Sequence, residues 1–150
     1  EIGKIMTKLT VLLTCAALMP IAAFAQDTPG THFVENWDLD GNGSVSSEEI
    51  TERRGDIFVM FDQDEDGMLS AEEYILFDET RVADMENNAG GHGKGGDRMQ
   101  EGLTLGFNDT DADGQVSKEE FVSNSAAWFT QIDRNGDAMI TSADFGPQSN

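Results

Sequence analysis

The stretch DLDGNGSVSSEE, residues 38–49, places acidic or amide side chains at its first, third and fifth positions, glycine at its sixth and glutamate at its twelfth. The same grammar returns as DQDEDGMLSAEE at 62–73, as DTDADGQVSKEE at 109–120 and, in weaker form, as DRNGDAMITSAD at 133–144. Loop starts lie 24 residues apart within each pair (38 to 62, 109 to 133), and corresponding copies lie 71 apart (38 to 109, 62 to 133). Unrelated acidic turns would share neither interval, so the chain is a duplicated pair of loops.

Such a loop matches the needs of a hard divalent cation. An ion of calcium's size takes six to eight oxygens, and a twelve-residue loop supplies them from positions 1, 3, 5, 7, 9 and 12. The first loop offers Asp38, Asp40 and Asn42, the backbone carbonyl of Ser44, Ser46 at the water-bridged position, and Glu49 as the closing bidentate ligand. The second offers Asp62, Asp64, Asp66, the carbonyl of Met68, Ser70 and Glu73. The third offers Asp109, Asp111, Asp113, the carbonyl of Gln115, Ser117 and Glu120. Gly43, Gly67 and Gly114 stand at position 6, where the chain must turn sharply and φ is expected to be positive.

The fourth loop keeps Asp133, Asn135 and Asp137, with the carbonyl of Met139 at position 7, and departs at two places. Ala138 replaces the glycine, and a left-handed residue with a Cβ costs about 1 to 2 kcal/mol. Asp144 replaces the closing glutamate and is one methylene shorter. Three calcium sites are therefore expected, and a fourth that is weak or tolerant of magnesium. A purely structural role for the fourth loop competes with occupancy. By acidic ligands, the second and third loops carry four each and the outer two carry three, so the middle sites should bind most tightly.

The flanks read as helices. Phe33 and Trp37 form an i,i+4 pair ending at the first loop. Ile50, Ile57, Phe58 and Phe61 fall on one face between the first two loops, and Phe121, Val122, Phe129 and Ile132 do so between the last two. Tyr74, Ile75, Val82 and Met85 belong to the helix after the second loop, and Met99, Leu103 and Phe107 to the one before the third; all these stripes are expected to be core. Only twelve residues, 50–61, separate the first two loops, enough for one shared helix of about 18 Å at 1.5 Å per residue or for two short ones broken near Gly55. Segment 121–132 holds no glycine, which favours the shared helix. A continuous helix keeps neighbouring loops apart, so each position-8 residue (Val45, Leu69, Val116, Ile140) would then find its partner in the other half.

At these four loops the chain resembles the EF-hand superfamily, over about residues 31–146, and with its apolar leader it resembles the bacterial periplasmic or secreted calmodulin-like proteins. That resemblance implies an all-α fold, an array of helix-loop-helix units with two pairs of calcium loops joined by a glycine-rich linker. It also implies a short β-bridge between paired loops at position 8, which is apolar in all four copies. The chain departs from calmodulin in the 24-residue loop interval, which leaves no room for two full helices and a linker.

The remaining features concern organisation. Residues 6–25 join a basic start at Lys8 to an apolar run ending in Ala23-Phe24-Ala25, the pattern of a secretory signal peptide cleaved after Ala25. The expected division is a signal peptide at 1–25, with 1–5 as an upstream remnant, a first loop pair at 26–86, a flexible linker at 87–98 and a second pair at 99–150. Five glycines between 90 and 96 argue against regular structure in the linker, and His92 and Lys94 there read as solvated rather than as a metal site. Cys15, the only cysteine, leaves with the signal segment, so no disulfide is expected in the mature chain. The localisation expected is periplasmic or secreted.

With 29 acidic and 9 basic residues the net charge is −20, which repels nucleic acid and anionic membrane surfaces. His32 and His92 are the two histidines, and no nucleophile elbow or phosphate loop is present, so no enzyme is expected. The leading reading is a calcium buffer or calcium-stabilised structural module, with calcium ions as its partners. The alternative is a sensor exposing an apolar groove to an unidentified protein partner, with Met60, Met68, Met85, Met99 and Met139 as adaptable contacts.

Overall fold

Ser46 and Glu49 start the longest helix between loops: the Ser46 hydroxyl accepts from the Glu49 amide at 3.2 Å, and the Glu49 carboxylate accepts from the Ser46 amide at 2.8 Å. This reciprocal capping box sets the N-terminus of α2, Ser47–Phe61. The structure is a computed structural model that describes residues 28–87 and 96–146. The segment expected to be a signal peptide, the greater part of the expected linker with His92 and Lys94, and residues 147–150 lie outside the described residues.

In chain order the elements are α1 (Thr31–Trp37), α2, strand β1 (Met68–Leu69), α3 (Ala71–Asn87), α4 (Gly96–Glu101), α5 (Leu105–Asn108), strand β2 (Val116–Ser117), α6 (Lys118–Ser123), α7 (Ser125–Ile132) and a 3₁₀ turn, Ser142–Asp144. The fold is helical, a set of helix-loop-helix units with one small sheet. Helix α2 runs unbroken through Gly55 and packs on α6 and α7 of the second half. A glycine inside a helix costs about 1 kcal/mol relative to alanine. Its neighbours offset that, since Arg54 and Phe58 on either side are fully buried.

Because α2 is continuous, each loop pairs across the halves. Leu69 of β1 lies opposite Val116 of β2, antiparallel, and Val45 forms an isolated antiparallel bridge with Ile140. The second loop thus joins the third and the first joins the fourth, as a shared helix requires. The glycine-free segment breaks instead: at Asn124, where ψ is −3° rather than the helical value near −42°, α6 gives way to α7. The Asn124 side chain donates to the Phe107 carbonyl at 3.1 Å, a tertiary bond that holds this residue away from the regular helix.

The core is one apolar cluster. At its end, Phe33 and Trp37 stack at 5.3 Å, Trp128 meets Trp37 edge-on at 4.8 Å, and Phe145 leans on Phe33 at 5.5 Å. Gly102 admits this arrangement, since a Cβ there would overlap the Trp128 indole. The same approach, with the loop at 102–104, divides the helix expected before the third loop into α4 and α5.

Four expected core residues lie outside: Met85 and Val122 are half-buried and not part of the cluster, and two more are exposed. Ile75 and Val82 are 59% and 48% exposed, while Tyr74 and Phe77 carry the buried face of α3. The face of α3 that meets the body carries polar groups in its later turns, Arg81 bonding to Gln100 and Asp84 to His32, while Ile75 and Val82 lie seven residues apart on the other face, in solvent. Helix α4 also begins at Gly96, inside the stretch expected to lack regular structure; Met99, 4% exposed, anchors it to the core.

At the centre a cation is buried. Arg54 is 0% exposed and occupies the i+4 place after Ile50, where the apolar pattern of α2 would have put a hydrophobe. Its guanidinium donates to the Phe121 carbonyl from Nε (2.9 Å) and Nη2 (2.5 Å), to the Gly102 carbonyl from Nη1 (2.9 Å) and to Asn108 Oδ1 from Nη2 (2.5 Å). It also lies over the Phe121 ring, 4.1 Å from the centroid. Burial pushes its pKa down to about 10.

Candidate metal centre

In each loop the position-1 aspartate ties the turn together. Its Oδ2 accepts from the position-6 amide at 2.8 to 3.1 Å: Gly43 on Asp38, Gly67 on Asp62, Gly114 on Asp109 and Ala138 on Asp133. The position-5 side chain accepts from the amide two residues on: Ser44 on Asn42, Met68 on Asp66, Gln115 on Asp113 and Met139 on Asp137. Position 6 has positive φ throughout, 89° at Gly43, 84° at Gly67, 89° at Gly114 and 66° at Ala138. Position 4 is left-handed as well, at Gly41, Glu65, Ala112 and Gly136, a feature the sequence reading passed over.

The position-12 acid closes each loop onto its start. Glu49 accepts from the amides of Leu39 (2.8 Å), Asp40 (3.2 Å) and Ser46 (2.8 Å). Glu120 does so from Thr110 (3.0 Å), Asp111 (3.4 Å) and Ser117 (2.8 Å), and Glu73 from Gln63 (2.7 Å) and Ser70 (2.9 Å). Asp144 repeats the pattern on Arg134 (3.0 Å), Asn135 (3.4 Å) and Thr141 (2.9 Å). Being one methylene shorter, it does this from a 3₁₀ turn, which draws the backbone inward, and it is 1% exposed. The serines at position 9, expected at the water-bridged place, also serve as N-caps: the hydroxyls of Ser46, Ser70 and Ser117 accept the amides of Glu49, Glu73 and Glu120.

At Glu120, Glu73 and Glu49 these donors favour the ionised carboxylate. The Ser117 amide, the Thr110 hydroxyl and the Ser117 hydroxyl lower the Glu120 pKa to about 2. The Ser70 amide and hydroxyl lower that of Glu73. At Glu49 burial opposes the charge, and the amides and hydroxyl donated to it outweigh burial, so its pKa is lowered as well. The Gly43 amide leads the same effect at Asp38.

Carboxylate oxygens converge in three loops. Asp38, Asp40 and Glu49 can bring one oxygen each within 4.8 Å of one another, as can Asp62, Asp64 and Asp66, and Asp109, Asp111 and Glu120. Glu73 and Asp113 stand outside the tight groups of their loops, although each is held at its place by loop amides. Asp133, Asp137 and Asp144 form no such group among the described residues. Acidic oxygens without nitrogen or sulfur donors are the ligand chemistry of a hard cation, so the donor set fits calcium.

Chain comparisons agree with this geometry. The family model described as EF hand matches residues 55–77 and 108–123, which span the second and third loops. No curated protein matches the chain.

Proposed function

We propose that this chain is an EF-hand protein, a non-catalytic calcium binder with three sites, serving as a buffer or a calcium-stabilised structural module. The observation that carries this reading is the convergence of three carboxylate groups in loops whose backbones are already closed by their own side chains. Asp38, Asp40, Asn42 and Glu49 would hold the first ion, with the Ser44 carbonyl. Asp62, Asp64, Asp66 and Glu73, with the Met68 carbonyl, would hold the second. Asp109, Asp111, Asp113 and Glu120, with the Gln115 carbonyl, would hold the third. The fourth loop, with Asp133, Asn135, Asp137, Asp144 and the Met139 carbonyl, is a weak or magnesium-tolerant site whose main work is to brace the first.

A bound cation offsets repulsion among clustered carboxylates in a chain of net charge −20, so metal should stabilise the fold by mass action. Residues 6–25 support export, and extracellular calcium modules work at dissociation constants of about 10⁻⁴ to 10⁻³ M, in keeping with a periplasmic or secreted setting. The test is calorimetric titration of the metal-free protein with calcium in millimolar magnesium, with circular dichroism alongside. Three sites and a gain in ordered helix support the reading; absence of calcium binding refutes it. N-terminal sequencing of the exported product tests cleavage after Ala25.

One observation favours the sensor as a second reading. A cleft of about 280 Å³ between α1, α2, α3 and α4 is lined by Trp37, Phe61, Phe77, Leu103, Met60 and Met99, apolar groups suited to a protein partner. Calcium-dependent binding of a hydrophobic dye would support this reading, and an unchanged signal would favour the buffer.

A further inference from the structure

The side chains around Arg54 join residues that border two metal loops. Tyr74 directly follows Glu73, the closing acid of the second loop. Asn108 directly precedes Asp109, the first ligand of the third, and Phe121 directly follows Glu120, its last. Asn108 Nδ2 donates to the Tyr74 hydroxyl at 3.1 Å, and Asn108 Oδ1 accepts from Arg54 at 2.5 Å. Arg54 in turn grips the Phe121 carbonyl through two nitrogens. The Tyr74 hydroxyl donates to the Leu103 carbonyl at 2.8 Å, and Asn108 Nδ2 also reaches the carbonyls of Gly102 and Thr104. An unbroken chain of buried hydrogen bonds thus runs from the exit of the second loop to both the entrance and the exit of the third.

We propose that Tyr74, Asn108 and Arg54 form a buried relay that couples ion binding at the second loop to ion binding at the third, with Arg54 as its positioning residue. The proposal rests on the calcium reading above. Packing alone does not call for these groups. Apolar residues of similar volume fill a core at no desolvation cost, whereas a buried cation needs every donor placed. No carboxylate among the described residues pairs with Arg54; backbone carbonyls, an amide oxygen and an aromatic face satisfy it. Two of those acceptors, the Asn108 side chain and the Phe121 carbonyl, sit at the borders of the third loop, so a shift of α5 or α6 as that loop closes must move the guanidinium. The guanidinium is mounted on α2, whose C-terminus hands over to Asp62, the first ligand of the second loop. Both ends of the second loop are therefore tied to the third: one through Tyr74 and Asn108, the other through Arg54 and the rigid helix. This connection is separate from the Leu69 and Val116 strand pair.

The experiment is a calcium titration of the full chain followed by amide NMR, with the Gly43, Gly67 and Gly114 amides reporting the first, second and third loops. In the unaltered protein the Gly67 and Gly114 curves should coincide and be steeper than a single-site isotherm. Tyr74→Phe deletes one hydroxyl and keeps the ring. Arg54→Lys keeps the charge and loses the planar fork. In both variants the two curves should separate by about fivefold or more in midpoint and lose their steepness, the lower end of typical coupling between sites. The Gly43 curve should stay in place. If both variants lower the melting temperature while the Gly67 and Gly114 curves remain superimposed and steep, the relay is only structural and the proposal is wrong. If no glycine amide of the unaltered protein responds to calcium, the calcium reading fails first and the coupling with it.

Discussion

The Val45 amide donates to the Ile140 carbonyl at 2.8 Å, and the Ile140 amide returns the bond to the Val45 carbonyl at 2.9 Å. Both side chains are fully buried, and through them the first loop leans on the fourth. The departures at Ala138 and Asp144 therefore leave a loop that still works as scaffold. Ile140→Ala should cost about 2 to 5 kcal/mol by removing a buried aliphatic group, read by urea unfolding of the metal-free protein. It should also weaken the first calcium site more than the third.

Asp144 closes its loop on three amides while 1% exposed. Asp144→Ala leaves those donors unpaired, each lost partner costing about 1 to 3 kcal/mol if the amide stays dry. The melting temperature of the metal-free protein should fall by several degrees, with the calcium stoichiometry unchanged at three. The first site should weaken relative to the third, since the closed fourth loop braces it; an unchanged first site would mean that the bridge between Val45 and Ile140 carries the brace by itself.

Ala138 sits at φ 66°, where a Cβ costs about 1 to 2 kcal/mol. Glycine loses about 0.4 to 1 kcal/mol through the greater freedom of its unfolded chain. Ala138→Gly should therefore stabilise the protein slightly, by up to about 1.6 kcal/mol, and thermal unfolding with and without calcium checks it.

Gly102 has no room for a Cβ because the Trp128 indole occupies it. Gly102→Ala should force that ring aside and cost about 1 to 3 kcal/mol, with a change in tryptophan fluorescence. It should also disturb the Arg54 contact with the Gly102 carbonyl.

The folded state holds Glu120 at a pKa of about 2, chiefly through the Ser117 amide, against about 4.3 for a free glutamate. A carboxylate with a depressed folded pKa contributes stability that is present above the unfolded value and lost as pH falls through the folded one. The stability gap between the metal-free protein and Glu120→Gln should therefore be full at pH 6 and close between about pH 4.3 and 2. A gap that is constant with pH would mean that the ionised carboxylate is not what the Ser117 and Thr110 donors hold.

The loops were legible in the sequence because their chemistry is local. Aspartate at position 1, aspartate or asparagine at positions 3 and 5, a residue able to take positive φ at position 6 and an acid at position 12 act within twelve residues, and spacing alone places them. Loop pairing across the halves was legible too, since twelve residues of shared helix hold adjacent loops too far apart to bridge. The helix faces were less so. The stripe through Ile75 and Val82 is apolar without being buried, since what covers a helix face is decided by another part of the chain.

The sequence by itself determined the ion-binding grammar and the doubling of the loops, because both are written in residue type and interval. Only the tertiary structure decided what stands between the loops. Nothing in the spacing of α2 singles out Arg54, yet folding carries it to the centre, where carbonyls of residues 102 and 121 and the amide of Asn108 converge on it. Those acceptors lie about 50 to 70 positions away in sequence, and no local pattern encodes a partner at that distance.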